Sequence, residues 1–310
     1  MELSWLEDFV TLATTGNFSR AAELRNITQP AFSRRVRLLE EWVGAPLFDR
    51  SGPRVGLTAA GQAFQRDADG LIRRMLELRD AAREAHGREV GRLRIAATHA
   101  LSFTFFPRWM GAMEGEGAAG VVSLVSDSMA ACEDLLIQGQ VHFLLCHYHD
   151  LAPGRLDNAG FRSVTVGQDM LVPYSAADGA GEPLWRLDGD ERVPLLAYTA
   201  ESGLGRIWAA QGFAGDRDRF DGMFSAHLAA TLLGMAREGR GIAWLPESLV
   251  ADPVAAGSLV VAGGPQWHVP LSIRVVRPAS RQTASAEAFW DRMTRDPHAS
   301  SNSNESERIA

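Results

Sequence analysis

Thr28-Gln29-Pro30-Ala31-Phe32-Ser33-Arg34-Arg35-Val36-Arg37-Leu38-Leu39-Glu40-Glu41-Trp42-Val43-Gly44 decides the reading of the N-terminal part of the chain. Phe32, Val36, Leu39 and Val43 recur at i, i+4, i+7 and i+11, which is one buried helix face. Thr28 stands where a cap is expected, and Pro30 falls in the first turn, where a missing N–H does no harm. Gln29, Pro30, Ser33, Arg34 and Arg37 share another face, roughly 120° away at helical spacing. That face gathers an amide, a hydroxyl and two guanidinium groups near the helix N-terminus. A helix that enters a major groove by its first turns needs such groups for base edges and phosphates. A solvated amphipathic helix is the competing reading of the same spacing.

Trp5, Leu6, Phe9, Val10, Leu12 and Ala13 make a helical stripe that Gly16 stops. Asn17 is a cap for a short helix from Phe18 to Leu24, in which Ser19 is polar and Ala21-Ala22 allows close packing. Arg25-Asn26-Ile27 then reads as a tight turn. After Gly44, two short extended pieces around Ser51-Gly52-Pro53 make a β-turn wing that carries Arg50 and Arg54. An exposed turn with two solvated arginines is the alternative. The expectation for residues 1–57 is a winged helix-turn-helix.

From Thr58 to about Gly87 no proline interrupts the chain, and Phe64, Ala68, Leu71, Met75, Leu78, Ala82 and Ala85 alternate spacings of 4 and 3. This heptad seam predicts a linker helix over residues 58–90. Thirty helical residues span about 45 Å, too long for a 57-residue unit to cover. The seam therefore needs a partner, either a second copy of the helix through Phe64, Leu71, Met75 and Leu78 or the chain's own C-terminal part.

The net charge of −7 is unevenly spread. Residues 1–90 hold 13 Arg against 13 acids, whereas Asn17 to Arg37 holds five Arg against Glu23 alone. A local basic patch on an acidic protein fits a nucleic-acid reader joined to another kind of domain. No apolar run approaches the ~18 residues that a membrane span needs. The start, Met1-Glu2-Leu3-Ser4, lacks the features of a secretory signal. With only Cys132 and Cys146 there is no disulfide framework and no zinc motif, so the expected compartment is the cytoplasm.

After Gly91 strands alternate with helices: strands at Leu93–Thr98, Val121–Ser126 and Val141–Cys146, helices at Phe103–Met113 and Met129–Gln138. A second set follows at Met170–Pro173, Leu195–Tyr198, Leu204–Gln211, Ala226–Arg237, Gly241–Pro246, Leu271–Val275 and Ala286–Thr294. The pattern predicts two α/β lobes, one of about 91–163 with 265–296, the other about 164–264, and a disordered tail over 297–310. Ligands of such sheets bind at the strands' carboxyl ends. The candidates are Thr98, His99, Ala100 and Ser102; Asp127, Ser128 and Met129; His147 with His149 in the hinge; and Thr199, Glu201, Ser202 and Leu204. His99 could instead cap its own helix, and Ser102 could bond back to its own helix backbone. Cys146-His147-Tyr148-His149 invites a metal reading, but strand alternation puts the thiol and the imidazoles on opposite faces.

Phe18-Ser19-Arg20-Ala21-Ala22, Thr28 to Val36, Leu39-Glu40, Gly44 to Arg50 and Leu57-Thr58-Ala59-Ala60-Gly61 together resemble the signature of LysR-type transcriptional regulators. The resemblance implies major-groove contacts from Gln29, Pro30, Ser33 and Arg34, wing contacts from Arg50 and Arg54, and a paired linker helix. It also implies a periplasmic-binding-protein-like effector domain. Asn17, Ser19, Thr28 and Arg37 complete the expected DNA face. Leu93 to Ser102, Tyr198 to Arg206 and Gly241 to Glu247 are similar to the hypochlorite-responsive branch, in which methionine oxidation is implicated. Leu204 stands where that branch has methionine, and Leu228 likewise lacks sulfur. Met129 and Met223 are the better sulfoxide candidates, since helical spacing makes Met110, Met113 and Met235 core residues. The implied effector is thus an oxidant or a small metabolite, with small carboxylates and amino acids as the candidates.

The expected partners are a pseudo-palindromic double-stranded DNA operator, further copies of the chain as homodimer or homotetramer, the effector, and RNA polymerase. No cofactor, metal, membrane or enzymatic role is expected. An architectural DNA-binding protein without effector control is the first alternative. A two-lobed α/β enzyme is the second, and the absence of a phosphate loop or a GxSxG motif counts against it.

Overall fold

The computed structural model describes residues 2–52, 54–86, 92–114, 121–189, 191–213 and 219–295. They fall in two compact units, one within residues 1–86 with 137–140, the other from 87 onward without that short segment. The expected tail over 297–310 lies outside the described residues.

In the first unit α1 (Leu3–Thr15) buries Leu6, Phe9, Val10 and Leu12 and stops where Gly16 turns left-handed, φ 61. Asn17 caps α2 (Phe18–Leu24), its Oδ1 accepting the Arg20 N–H at 3.0 Å. Asn26, φ 54, makes the following turn. In α3 (Gln29–Val43) Phe32, Val36 and Leu39 are buried. Thr28 occupies the cap position, but its side chain makes no capping bond, so the expected cap is one of place only. β1 (Phe48–Asp49) and β2 (Gly56–Leu57) pair antiparallel as a short wing. Buried Asp8 accepts from Arg25 Nε at 2.8 Å and lies 3.6 Å from Arg35, which ties α1 to both following helices.

α4 (Ala59–Ala85) begins pinned to the wing. The Thr58 hydroxyl donates to Pro46 O and accepts from the Gly61 N–H. A Cβ on Gly61 would lie 2.0 Å from Leu47 O, so no other residue fits there. The heptad seam divides along the helix. Phe64, half-buried, meets Phe9 edge-on at 5.0 Å and packs with the buried Ala68 and Ile72 against the core of its own unit. Leu71, Met75 and Leu78 remain 43%, 38% and 55% exposed.

The second unit continues with β3 (Leu93–Thr98), α5 (His99–Thr104), α6 (Phe106–Glu114), β4 (Val122–Asp127), α7 (Met129–Ile137), β5 (Phe143–Tyr148), β6 (Phe161–Ala176), β7 (Val193–Tyr198) and α8 (Gly203–Ala210). Then follow β8 (Phe220–Ala226), α9 (Ala229–Arg237), β9 (Ala243–Pro246), α10 (Glu247–Ala255), β10 (Leu259–Val261), β11 (Val269–Pro278) and α11 (Ala284–Arg295). The main sheet runs β10-β6-β11-β5-β3-β4, with β9 also on β6; β7 and β8 pair in parallel beside it. One core gathers Leu93, Ile95, Phe143, Val166, Ile273 and Phe289, the other Leu171, Leu196, Leu232, Trp244, Trp267 and Leu271.

Those cores move the expected lobe boundary. Val166 packs in the first core, and Trp267, Val269 and Leu271 in the second, because β6 and β11 run unbroken from one lobe into the other. The expected helix Phe103–Met113 is two helices meeting at Phe105, and β8, α10 and β10 have no counterpart in the sequence reading.

Where β6 crosses between the cores, Asp169 is buried. It pairs with His147 Nε2 on β5 at 3.1 Å and accepts from Ser248 Oγ on α10 at 2.6 Å. Burial opposes its ionisation, yet these bonds and the Met170 N–H hold its carboxyl below the ordinary aspartate value of 3.8. A lowered folded-state pKa means stability that is present above the unfolded value and is lost as pH falls through the folded one. The thermal midpoint should therefore drop below a pH of about 4, and Asp169→Asn should flatten that limb. An identical acid limb in the variant would show that the carboxylate does not carry it.

Candidate nucleic-acid face and inter-lobe cleft

Gln29, Pro30, Arg34 and Arg37 are exposed on α3, and Ser33 is half-buried among them. Thr28, Asn17 and Ser19, at the starts of α3 and α2, are also exposed. The wing is fixed to α3 by Glu40. Its Oε1 accepts the N–H groups of Leu47 and Phe48 at 2.9 and 3.1 Å, and its Oε2 takes Arg50 Nη2 at 2.9 Å. The Arg50 guanidinium also lies 5.1 Å over the Phe18 ring, which itself meets Phe32 edge-on. Arg50 thus braces wing, α2 and α3, whereas Arg54 is exposed. The reading from sequence missed Glu40 as a positioning residue; its only signal there was the Leu39-Glu40 pair, which quotes no partner.

In the second unit a cleft with about 410 Å3 of open space is lined from one lobe by Thr98, His99, Ala100, Asp127, Ser128, Met129 and His147. Ser202, Gly203, Leu204, His227 and Ala229 line it from the other. The first turns of α7, α8 and α9 all open on it. Free N–H groups at helix starts and the aligned peptide dipoles favour negative charge there. The buried Thr98 hydroxyl has no hydrogen-bond partner. Burial lowers the His99 pKa, Asp127 raises it, and His227, whose ring centroid is 5.8 Å away, lowers it. A proton on His99 is therefore easily lost, and its ring Nδ1 lies 3.0 Å from Ser126 Oγ.

Three expected cleft residues are not among its lining. Ser102 donates back to His99 O at 2.7 Å, Glu201 is exposed, and the Thr199 hydroxyl is buried without a partner. Short side chains in a helix's first turns reach their own backbone before they reach a cavity. His149 accepts the Leu151 N–H and turns away from His147. Among the described residues no cluster of three or more His, Cys, Asp or Glu could hold a metal ion. Both thiols are free and buried, and burial pushes each pKa up to about 12, which suits inert core residues. Met129 packs its Cβ and Cγ against Gly203, while Met223 is 65% exposed. His227 and Gly203 were missed: one follows a strand absent from the sequence reading, the other has no side chain to read.

No described helix is long and apolar enough to cross a membrane. Residues 3–62 match the bacterial regulatory helix-turn-helix proteins of the lysR family, and residues 86–296 match the LysR substrate binding domain. The HTH-type transcriptional regulator YjiE of Escherichia coli is 31% identical over 94% of this chain and 93% of its own. Vibrio fischeri DarR, solved in complex with DNA, is 30% identical with a TM-score of 0.55, covering 94% of this chain and 97% of that one. HypT from Salmonella typhimurium, a hypochlorite-specific LysR-type transcriptional regulator, is 30% identical at full length with a TM-score of 0.58, covering 96% and 99%. Its bromide ion-bound regulatory domain is 25% identical with a TM-score of 0.57, covering 68% and 97%. With both halves matched in order and one relative similar from end to end, this chain belongs to the LysR family of DNA-binding transcriptional regulators, with an effector-binding C-terminal domain.

Proposed function

We propose that the chain acts in the cytoplasm as a homodimer or homotetramer on a pseudo-palindromic operator, and that a small anion in the inter-lobe cleft sets how it holds that DNA. Its role is regulatory rather than catalytic. The observation that carries the reading is the convergence of the α7, α8 and α9 first turns on one cleft between the lobes. The bromide bound to the HypT regulatory domain supports an anion, and the DarR complex supports DNA. An anion that prefers one arrangement of the lobes shifts the population toward it, and RNA polymerase meets the resulting change in DNA shape.

On the DNA face Gln29, Ser33 and Arg34 read bases, with Pro30 and Arg37 beside them. Asn17, Ser19, Thr28 and Arg54 take backbone contacts, and Arg50 holds the wing in place. Ser33→Ala or Arg34→Ala should weaken operator binding by about 1–3 kcal/mol and relax discrimination, whereas Arg54→Ala should weaken operator and scrambled duplex alike. Fluorescence anisotropy on both duplexes reads this, and unchanged operator affinity in all three variants would sink the assignment.

The exposed Leu71, Met75 and Leu78 stripe is the linker-helix seam for the second copy. A carboxylate on it, Leu71→Glu, should leave monomer in sedimentation at concentrations where the parent is dimeric. An intact dimer would move the interface elsewhere.

A nuclease footprint with and without halide, sulfate or small carboxylates tests the cleft. Its extent should change with one of these anions, and Ser202→Ala should blunt the response. A footprint that answers only to a hypochlorite pulse, and recovers with sulfoxide reductase, would replace anion binding by oxidation of Met129 or Met223.

A further inference from the structure

The inter-lobe cleft offers an anion its helix starts but no fixed counter-charge. No arginine is among its described lining, and the chain has no lysine. Asp127 stands in the wall, and the other ionisable groups there are three imidazoles, His99, His147 and His227. His147 is already paired with the Asp169 carboxylate. What remains to offset an anion is His99 from the first lobe and His227 from the second, with ring centroids 5.8 Å apart.

A run of hydroxyls fixes which His99 nitrogen carries hydrogen. The Ser102 hydroxyl donates to His99 O at 2.7 Å, and a carbonyl oxygen has no proton to give, so the one hydrogen of Ser102 is spent there. Ser102 Oγ and Ser126 Oγ lie 2.9 Å apart, so that bond takes the one hydrogen of Ser126. Ser126 can then only accept, and His99 Nδ1, 3.0 Å from its Oγ, is the N–H. Ser126 is not in the cleft lining, whereas His99 is, so the ring turns its Nδ1 edge to β4 and its Nε2 edge to the cleft. In the neutral ring Nε2 is the bare nitrogen. Among the described residues Nε2 has no hydrogen-bond partner, and unlike the Thr98 hydroxyl it is not sealed from solvent.

A lone pair repels an anion. Only the protonated ring, with N–H on both sides, donates to one from Nε2. His227 carries no such lock: it is exposed, and no hydrogen bond among the described residues fixes its ring, so its neutral form can turn an N–H to an anion. Burial lowers the His99 pKa below its ordinary 6.5, Asp127 raises it and His227 lowers it again. The other described ionisable groups on elements packed against α5 are Arg94 on β3, Arg108 on α6, His147 on β5, Arg237 on α9, and Glu247 and Asp252 on α10. Of these only His147, balanced by Asp169, lines the cleft.

We propose that His99 and His227 clamp a small anion from opposite lobes, and that binding takes up one proton from solvent at His99, whose Nε2–H then donates to the anion. The inference rests on the anion reading of the cleft and adds its regulation: proton and anion reinforce one another, each raising the affinity for the other.

The test is thermal unfolding of the full chain in concentration series of sodium bromide, sodium sulfate and sodium acetate, at several values from about pH 6.5 to 8, with ionic strength held by sodium gluconate. These anions stay ionised over that range, so a proton taken up belongs to the protein. A bound anion raises the His99 pKa. Affinity is therefore full below the anion-free value and falls as pH rises toward the bound one. At least one anion should raise the midpoint saturably, with a dissociation constant that climbs about tenfold per pH unit over that window. Ser126→Ala, at an exposed position, removes the lock and lets Nε2 carry the hydrogen of the neutral ring. It should bind more tightly than the parent at about pH 8 and show a flatter pH dependence, a gain that lost packing does not produce. His227→Ala should weaken binding about tenfold across the range. Equal affinity at both ends of the range would overturn the proton uptake and leave the anion reading standing, whereas no saturable shift with any anion at any pH would overturn both. Ser126→Ala that binds no more tightly at the alkaline end, or His227→Ala that binds as the parent does, would overturn the clamp.

Discussion

The pairing of β6 with β11 is the constraint on which the effector domain depends. Its register runs from Val269 opposite Leu171 to Pro278 opposite Phe161, through both cores. On its other edge β11 also pairs with β5, so the two lobes share one hydrogen-bonded ladder. The lobes cannot separate without breaking backbone bonds that nothing else would replace. What the ladder leaves free is twist, and the register shift between Ile273 and Arg274 lies within the edge of the first core, just past Leu271 of the second. The Asp169 carboxylate, bonded to β5 and α10, sits beside that shift.

That geometry shapes the cleft between the lobes. Lobes joined by continuous strands can bring the starts of α7, α8 and α9 to one cleft, and a small relative twist changes all of these contacts together. The Glu133–Arg206 pair spans the same joint. Burial makes the pair strong in effect and costly to leave incomplete, since little water screens it.

The N-terminal unit is governed by a different bond set. Glu40 binds the wing backbone and Arg50 at once, and the Gly61 close approach seats α4 on the wing. An exposed recognition face is useful only if its helix and wing hold one geometry, so the residues that fix wing to helix set the precision of that face. The motifs Leu39-Glu40, Pro46 to Arg50 and Leu57 to Gly61 are therefore parts of one joint rather than separate marks.

Sequence by itself determined what is local. Asn17 capping α2, the turn at Asn26, the buried face of Phe32, Val36 and Leu39, and the first strands and helices of the effector domain, β3 to β5, follow from short-range periodicity and cap chemistry, although the helix after β3 is broken at Phe105. Most cleft residues were legible too, because strand ends in such sheets are the ligand positions. Tertiary structure alone decided the rest. Phe64, which heptad spacing alone assigns to the seam, packs edge-on against the Phe9 ring. β8 is hidden in sequence because Phe220–Ala226 buries little and owes its extended form to β7 alongside. Val166 and Leu271 changed lobes because a strand has no boundary of its own where two cores share it. Periodicity records which face of an element is buried; which neighbour buries it is fixed only when the chain closes on itself.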